Sequence, residues 1–160
     1  MMFGGATDEA TAQRIIADAS ASGVNFIDTA DMYNKGESER VVGRAIAADR
    51  HRWVLATKVG NPMGNGPNQQ GMSRKWIREA VHGSLTRLGT DYIDVLYMHK
   101  ADFAAPLEEM VLAFADLIRE WKIGDFAVSN FKAWRLAETV RLAREAGIVG
   151  PVATQPLYNP

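Results

Sequence analysis

The feature that most constrains this chain is a regular alternation. Short apolar runs, each ending on a polar residue, are separated by amphipathic helical stretches. Residues 8–22 carry Ala12, Ile15, Ile16 and Ala19 on one helical face and stop at Gly23. Residues 24–27 are an apolar run that ends at Asp28. Residues 38–48 return to helical spacing through Val41, Val42, Ala45 and Ile46, and the run 53–57 ends at Lys58. Residues 73–88 predict a helix with Ile77, Ala80, Val81, Leu85 and Leu88 on one stripe, and the β-rich run 92–98 ends at His99. Pro106 suits a first helical position. Leu107, Met110, Val111, Phe114, Leu117 and Ile118 then give the clearest helical period in the chain. The run 126–128 leads to Ser129 and Asn130, a helix over 133–146 stops at Gly147, and the run 149–154 ends at Gln155.

Alternating strands and helices point to an α/β fold of parallel strands joined by helical crossovers. Periodicity leaves two architectures open: a doubly wound sheet and a (β/α)8 TIM-type barrel. The polar residues weigh toward the barrel. Asp28, Lys58, His99, Asn130 and Gln155 all fall at strand C-terminal ends, the rim on which barrels build their sites. An open sheet concentrates its site at one switch point instead. The strand ends recur about every 32 residues, so eight units need about 250 residues. The expectation is an incomplete barrel of about six strands and five helices, in one partial barrel domain over residues 1–160. It starts near the end of a first strand.

Composition narrows the function. Apolar residues make up 47%, and 18 basic against 19 acidic residues leave a net charge of -1. That balance gives no electrostatic reason to expect a nucleic-acid or anionic-membrane partner. The chain has no cysteine, which excludes disulfides, thiolate metal sites and cysteine nucleophiles. The first residues lack a signal-peptide pattern, and no apolar run approaches the roughly 20 residues of a membrane span. A soluble, cytoplasmic protein is expected. No His/Asp/Glu grouping has metal-ligand spacing. The Gly- and Pro-rich segment 60–71 lacks the Lys-Ser/Thr ending of a P-loop and reads as a rim loop beside a substrate entrance. Met32, Met63 and Phe103 are candidate pocket-lining groups.

Five blocks carry a resemblance: GVNFIDTADMYNKGESERVVGRAI (23–46), VLATKVG (54–60), SLTRLGTDYIDVLYMHKAD (84–102), AVSNF (127–131) and QPLYNP (155–160). Their order and spacing resemble those of the aldo-keto reductase family. The resemblance implies a catalytic tetrad of Asp28, Tyr33, Lys58 and His99 for NADPH-dependent reduction of an aldehyde or ketone. Tyr33 would be the general acid. A nearby ammonium, Lys58, favours the phenolate left after proton transfer. Asp28 would hold Lys58 charged and oriented, and His99 would donate a hydrogen bond to the substrate oxygen. Ser129, Asn130 and Gln155 match positions that hold the nicotinamide carboxamide, a planar donor–acceptor pair that amide side chains complement.

Each residue also has a bland reading. Asp28 could brace a turn, Tyr33 could be a loop aromatic, and Lys58 a solvated lysine. His99 could be structural, and Ser129-Asn130 a helix cap. Joint placement on one rim is what outweighs these. Trp121, Gly124, Asp125 and Ala127 depart from the family pattern ahead of the SN pair, and Lys100 departs after His99. No motif up to Pro160 supplies the stacking aromatic, the pyrophosphate loop or the 2′-phosphate cations, so a truncated chain is expected. An incomplete barrel leaves open sheet edges, and self-association through them is expected. The alternative function is a non-catalytic, cofactor-sensing or regulatory protein resembling potassium-channel β subunits.

Overall fold

The computed structural model describes residues 2–157. Five helices, α1 (Glu9–Ala21), α2 (Glu37–Ile46), α3 (Arg74–Leu88), α4 (Leu107–Arg119) and α5 (Ala133–Glu145), alternate with five strands. The strands are β1 (Phe26–Asp28), β2 (Val54–Val59), β3 (Ile93–Met98), β4 (Ile123–Ser129) and β5 (Thr154–Gln155). All are parallel and lie in chain order, β1-β2-β3-β4-β5. A doubly wound sheet requires a reversal of strand order. None occurs among the described residues, so the barrel reading stands.

The sheet is also curled. In a flat sheet, four steps of about 4.8 Å would set β1 and β5 roughly 19 Å apart. Instead Gln155 Nε2, on β5, lies 3.4 Å from Asp28 Oδ2, on β1. Such curvature follows from the stagger of parallel strands. The register pairs Asp28 with Ala56, and Lys58 with Tyr97, so each strand tip stands one pleat beyond its predecessor.

Helix starts and stops obey local chemistry. Asp8 caps α1 by accepting from the Thr11 amide at 2.8 Å, and Ser73 caps α3 by accepting from the Trp76 amide. Gly89 ends α3 in the left-handed conformation, φ 65°. The outer face of the sheet and the helices form the main core, with Leu55, Val59, Ile77, Leu96, Phe114 and Phe126 at its centre. The inner face is lined by Ala56, Val95, Tyr97 and Ala127. Side chains alternate between faces along each strand. The same parity that puts Ala56 and Tyr97 inside therefore puts Lys58 and His99 inside at the tips.

Five strands are present among the described residues, not the six expected. Residues 2–7 form a hydrogen-bonded turn with one isolated bridge, Phe3 to Thr7, and contribute no strand to the sheet. The Phe3 carbonyl instead accepts from Asn34 Nδ2 at 2.6 Å, which pins this turn over the start of α2. Tyr158, Asn159 and Pro160 of the last motif lie outside the described residues.

Candidate active site

Asp28 is the last residue of β1, and the chain then turns through Ala30 and Asp31 into a short turn, Tyr33–Gly36. Asn34 and Lys35 adopt left-handed φ there, 49° and 56°, and Gly36 follows at 91°. This reversal brings the Tyr33 ring back over the β2 tip. The Lys58 ammonium lies 3.4 Å from Tyr33 Oη and 5.1 Å from the ring centroid. It also donates to both oxygens of Asp28, at 2.7 and 2.6 Å, and to the Thr29 carbonyl at 2.9 Å. Lys58 is completely buried, so the solvated-lysine reading fails. A buried ammonium is tolerable only with a close anion and satisfied donors, and it has both here.

His99, at the β3 tip, meets Tyr33 edge-on, with ring centroids 5.8 Å apart and planes at 82°. Burial, and then the positive charge of Lys58, pushes its imidazole down to about 4. It is therefore neutral at physiological pH, with one N–H to donate. The structure thus brings Asp28, Tyr33, Lys58 and His99 together at the C-terminal ends of three neighbouring strands, through Lys58–Asp28, Lys58–Tyr33 and Tyr33–His99 contacts.

Ser129, Asn130 and Gln155 also lie together. Ser129 Oγ donates to the Gln155 carbonyl at 3.0 Å, and Asn130 Nδ2 donates to Ser129 Oγ at 3.0 Å. Asn130 Nδ2 lies 3.5 Å from the His99 carbonyl, and Gln155 Nε2 reaches Asp28. Two primary amides and a hydroxyl thus sit on the rim beside the imidazole. That donor and acceptor set fits a carboxamide.

The rim loop 60–71 borders two cavities. One, of about 310 Å³, is lined by Met32, Lys35, Pro62 and Met63 and adjoins the Tyr33 turn. The other, of about 600 Å³, is bounded by Gly60, Pro67, Met72, Lys100 and Asp102. Phe103 lines neither. It is exposed and tilted against Trp134, with the Arg135 guanidinium 4.5 Å from its centroid.

A sequence model of the aldo/keto reductase family matches residues 1–160. The chain belongs to the aldo/keto reductase family. It is 40% identical over 141 residues to a putative voltage-gated potassium channel subunit beta of Schizosaccharomyces pombe, covering 86% of this chain and 41% of that protein. It is 36% identical over 160 residues to a probable voltage-gated potassium channel subunit beta of Oryza sativa subsp. japonica, covering 98% and 48%. It is 38% identical over 170 residues to the uncharacterized oxidoreductase YrpG of Bacillus subtilis, covering 99% and 52%. The chain spans about half the length of the curated relatives it matches. The aldo/keto reductase fold and oxidoreductase ancestry follow from these matches. Among the described residues no helix is long and apolar enough to cross a membrane, and no group of acidic, His or Cys residues is arranged to hold a metal.

Sequence reading missed a buried polar layer beneath this aldo/keto reductase site. Glu39 is fully buried, accepts from Thr57 Oγ1 at 2.6 Å, and pairs with Arg87 Nε at 2.6 Å. Asp31 is fully buried as well. The signal for Glu39 was present: positions 39, 42, 43 and 46 share one helical face at i, i+3, i+4 and i+7, the face of Val42 and Ile46. For Asp31, in a non-periodic loop, the sequence holds no comparable signal.

Proposed function

We propose that this protein reduces an aldehyde or ketone to an alcohol with NADPH, with Tyr33 as the general acid. The observation that carries the reading is the approach of one buried ammonium to both a carboxylate and a phenol: Lys58 Nζ is 2.6 Å from Asp28 and 3.4 Å from Tyr33 Oη. Ser129, Asn130 and Gln155 would hold the carboxamide of the cofactor. When bound, the dihydronicotinamide supplies the hydride. Tyr33 gives its proton to the carbonyl oxygen as charge develops there. The Lys58 ammonium stabilises the phenolate left behind, and Asp28 fixes that ammonium in place and in its charged form. Neutral His99 donates its N–H to the same oxygen, a preorganised dipole aimed at developing charge. Water returns the proton to Tyr33. The cytoplasmic setting expected from the sequence belongs to this proposal.

The test is NADPH consumption with a generic aldehyde, Tyr33→Phe alongside. Loss of at least about 100-fold in rate is expected when a positioned general acid is removed. An active protein whose rate is untouched by Tyr33→Phe would end the assignment of Tyr33.

A second reading is favoured by the relatives from yeast and rice named as potassium-channel β subunits. On it, the same rim binds cofactor for regulation. NADPH binding by fluorescence titration, without turnover of any aldehyde tried, is the outcome that selects it.

We also propose self-association through the edges of the sheet. β1 and β5 end the described sheet, and Phe26 and Val152 beside them are about half exposed. Unpaired strand edges template further pairing. A concentration-independent monomer in analytical ultracentrifugation would overturn this.

A further inference from the structure

We propose that Asp31 is a proton-carrying positioning residue: its neutral carboxylic acid lets the Tyr33 turn sit against the Lys58 strand, and its ionisation loosens that turn. The inference rests on the reading of Tyr33 and Lys58 given above, and goes beyond it to a residue that touches neither substrate nor cofactor.

Charges at the rim and in the buried layer beneath it do not balance. Three carboxyl groups, Asp28, Asp31 and Glu39, share this region with two cations, Lys58 and Arg87. Lys58 is committed to both oxygens of Asp28. Arg87 is committed to Glu39, which is fully buried and also accepts from Thr57, the residue before Lys58. Asp31 is left over. It is fully buried, and neither carboxyl oxygen has a hydrogen-bond partner among the described residues. Burying an ionised carboxylate without a compensating protein partner is costly, and such a group takes up a proton instead.

The groups around Asp31 agree. Burial, and then the like charge of Glu39 on α2, raises its carboxyl to about 7. The backbone N–H of Met32, and then the charges of Arg87 on α3 and Lys58 on β2, oppose the rise without cancelling it. The nearby hydroxyls of Thr29 and Ser38 are 2.9 Å apart and bonded to each other.

The position of Asp31 makes its ionisation matter. Its own amide donates to the Lys58 carbonyl at 3.1 Å, and Tyr33 lies two residues on. The Tyr33 amide closes the turn onto the Ala30 carbonyl at 3.2 Å. At the far end of the turn, the Gly36 α-carbon rests on Arg87 so closely that a Cβ would fall 2.6 Å from Arg87 Cδ. Arg87 therefore props the turn while neutralising Glu39. A second negative charge at Asp31 draws water in, competes for Arg87, and disturbs both supports at once.

The experiment uses the intact chain. The Asp31 carboxyl carbon is followed by 13C NMR from pH 5 to 9, together with amide exchange of Asp31 and Tyr33 and the Tyr33 ring resonances. Asp31 is expected to titrate near neutrality. Amide exchange is expected to accelerate about tenfold beyond its intrinsic pH dependence across the same step, the signature of local opening. Asp31→Asn, which cannot ionise, is expected to abolish the acceleration and hold the Tyr33 resonances constant. An Asp31 carboxyl that ionises in the ordinary acid range overturns the proposal, without need of a folded variant. So does a near-neutral titration that leaves Tyr33 exchange unchanged. Neither readout depends on turnover, so failure here is distinguishable from failure of the carbonyl-reductase reading. In an active preparation, Asp31→Asn should flatten the alkaline limb of the kcat/KM profile.

Discussion

Gln155 Nε2 donates to Asp28 Oδ2 at 3.4 Å, closing a contact between the first and last strands across the mouth of the curled sheet. The same carboxylate holds Lys58. Gln155 thereby couples the rim group proposed to hold the nicotinamide to the group proposed to hold the proton donor. Gln155→Ala is expected to weaken NADPH about fivefold, the equivalent of one modest hydrogen bond. Binding titration by fluorescence reads this. Equal affinity in variant and parent removes Gln155 from the cofactor site.

Gly43 marks the closest approach of α2 to α3. A Cβ there would fall 2.2 Å from the Leu88 carbonyl oxygen, which is backbone and cannot swing aside. Gly43→Ala gains helix propensity but must separate the two helices. We expect a net destabilisation of about 1–3 kcal/mol, read as a lower urea midpoint. Unchanged stability would mean that α2 slides freely on α3.

Trp121 stands just past the end of α4 with φ 57°, and is 85% exposed. Left-handed backbone at a helix C-terminus costs an L-residue roughly 1–2 kcal/mol, and glycine little. Trp121→Gly is expected to stabilise by about 1 kcal/mol after the greater flexibility of the unfolded glycine is subtracted. A melting temperature that falls would show that Trp121 is held by contacts it does not display.

The pH dependence of stability follows from two opposed groups. His99 is pushed down from 6.5 to about 4 on folding. Between those values the unfolded chain binds the extra proton, so this group makes stability rise with pH. Asp31 is raised from 3.8 to about 7. There the folded chain binds the extra proton, so this group makes stability fall with pH until about 7. From about pH 4 to 6.5 the two cancel, and the protein should show a nearly flat urea midpoint. Asp31→Asn should uncover the rise, and His99→Gln the fall. Parallel curves for all three proteins would contradict both shifts.

Much of this molecule was legible along the chain. Each helix falls within two residues of where periodicity places it, because i, i+3, i+4 spacing acts over a few residues, and Asp8 and Ser73 cap α1 and α3. The strand-tip residues Asp28, Lys58, His99, Ser129 and Gln155 were legible because a parallel strand–helix repeat delivers every tip to the same rim. Other facts were decided only by the tertiary structure. Residues 2–7 became a turn on α2 because the Phe3 carbonyl finds Asn34, a partner set by the fold. Lys58 is wholly buried because Asp28, the Thr29 carbonyl and Tyr33, about 25–30 residues away in the chain, close around its ammonium. Asp31 is a residue type found mostly at surfaces, and its burial comes from the approach of elements distant in sequence. Local propensity and periodicity belong to the chain. Desolvation, and the protonation it enforces, belong to the packed whole.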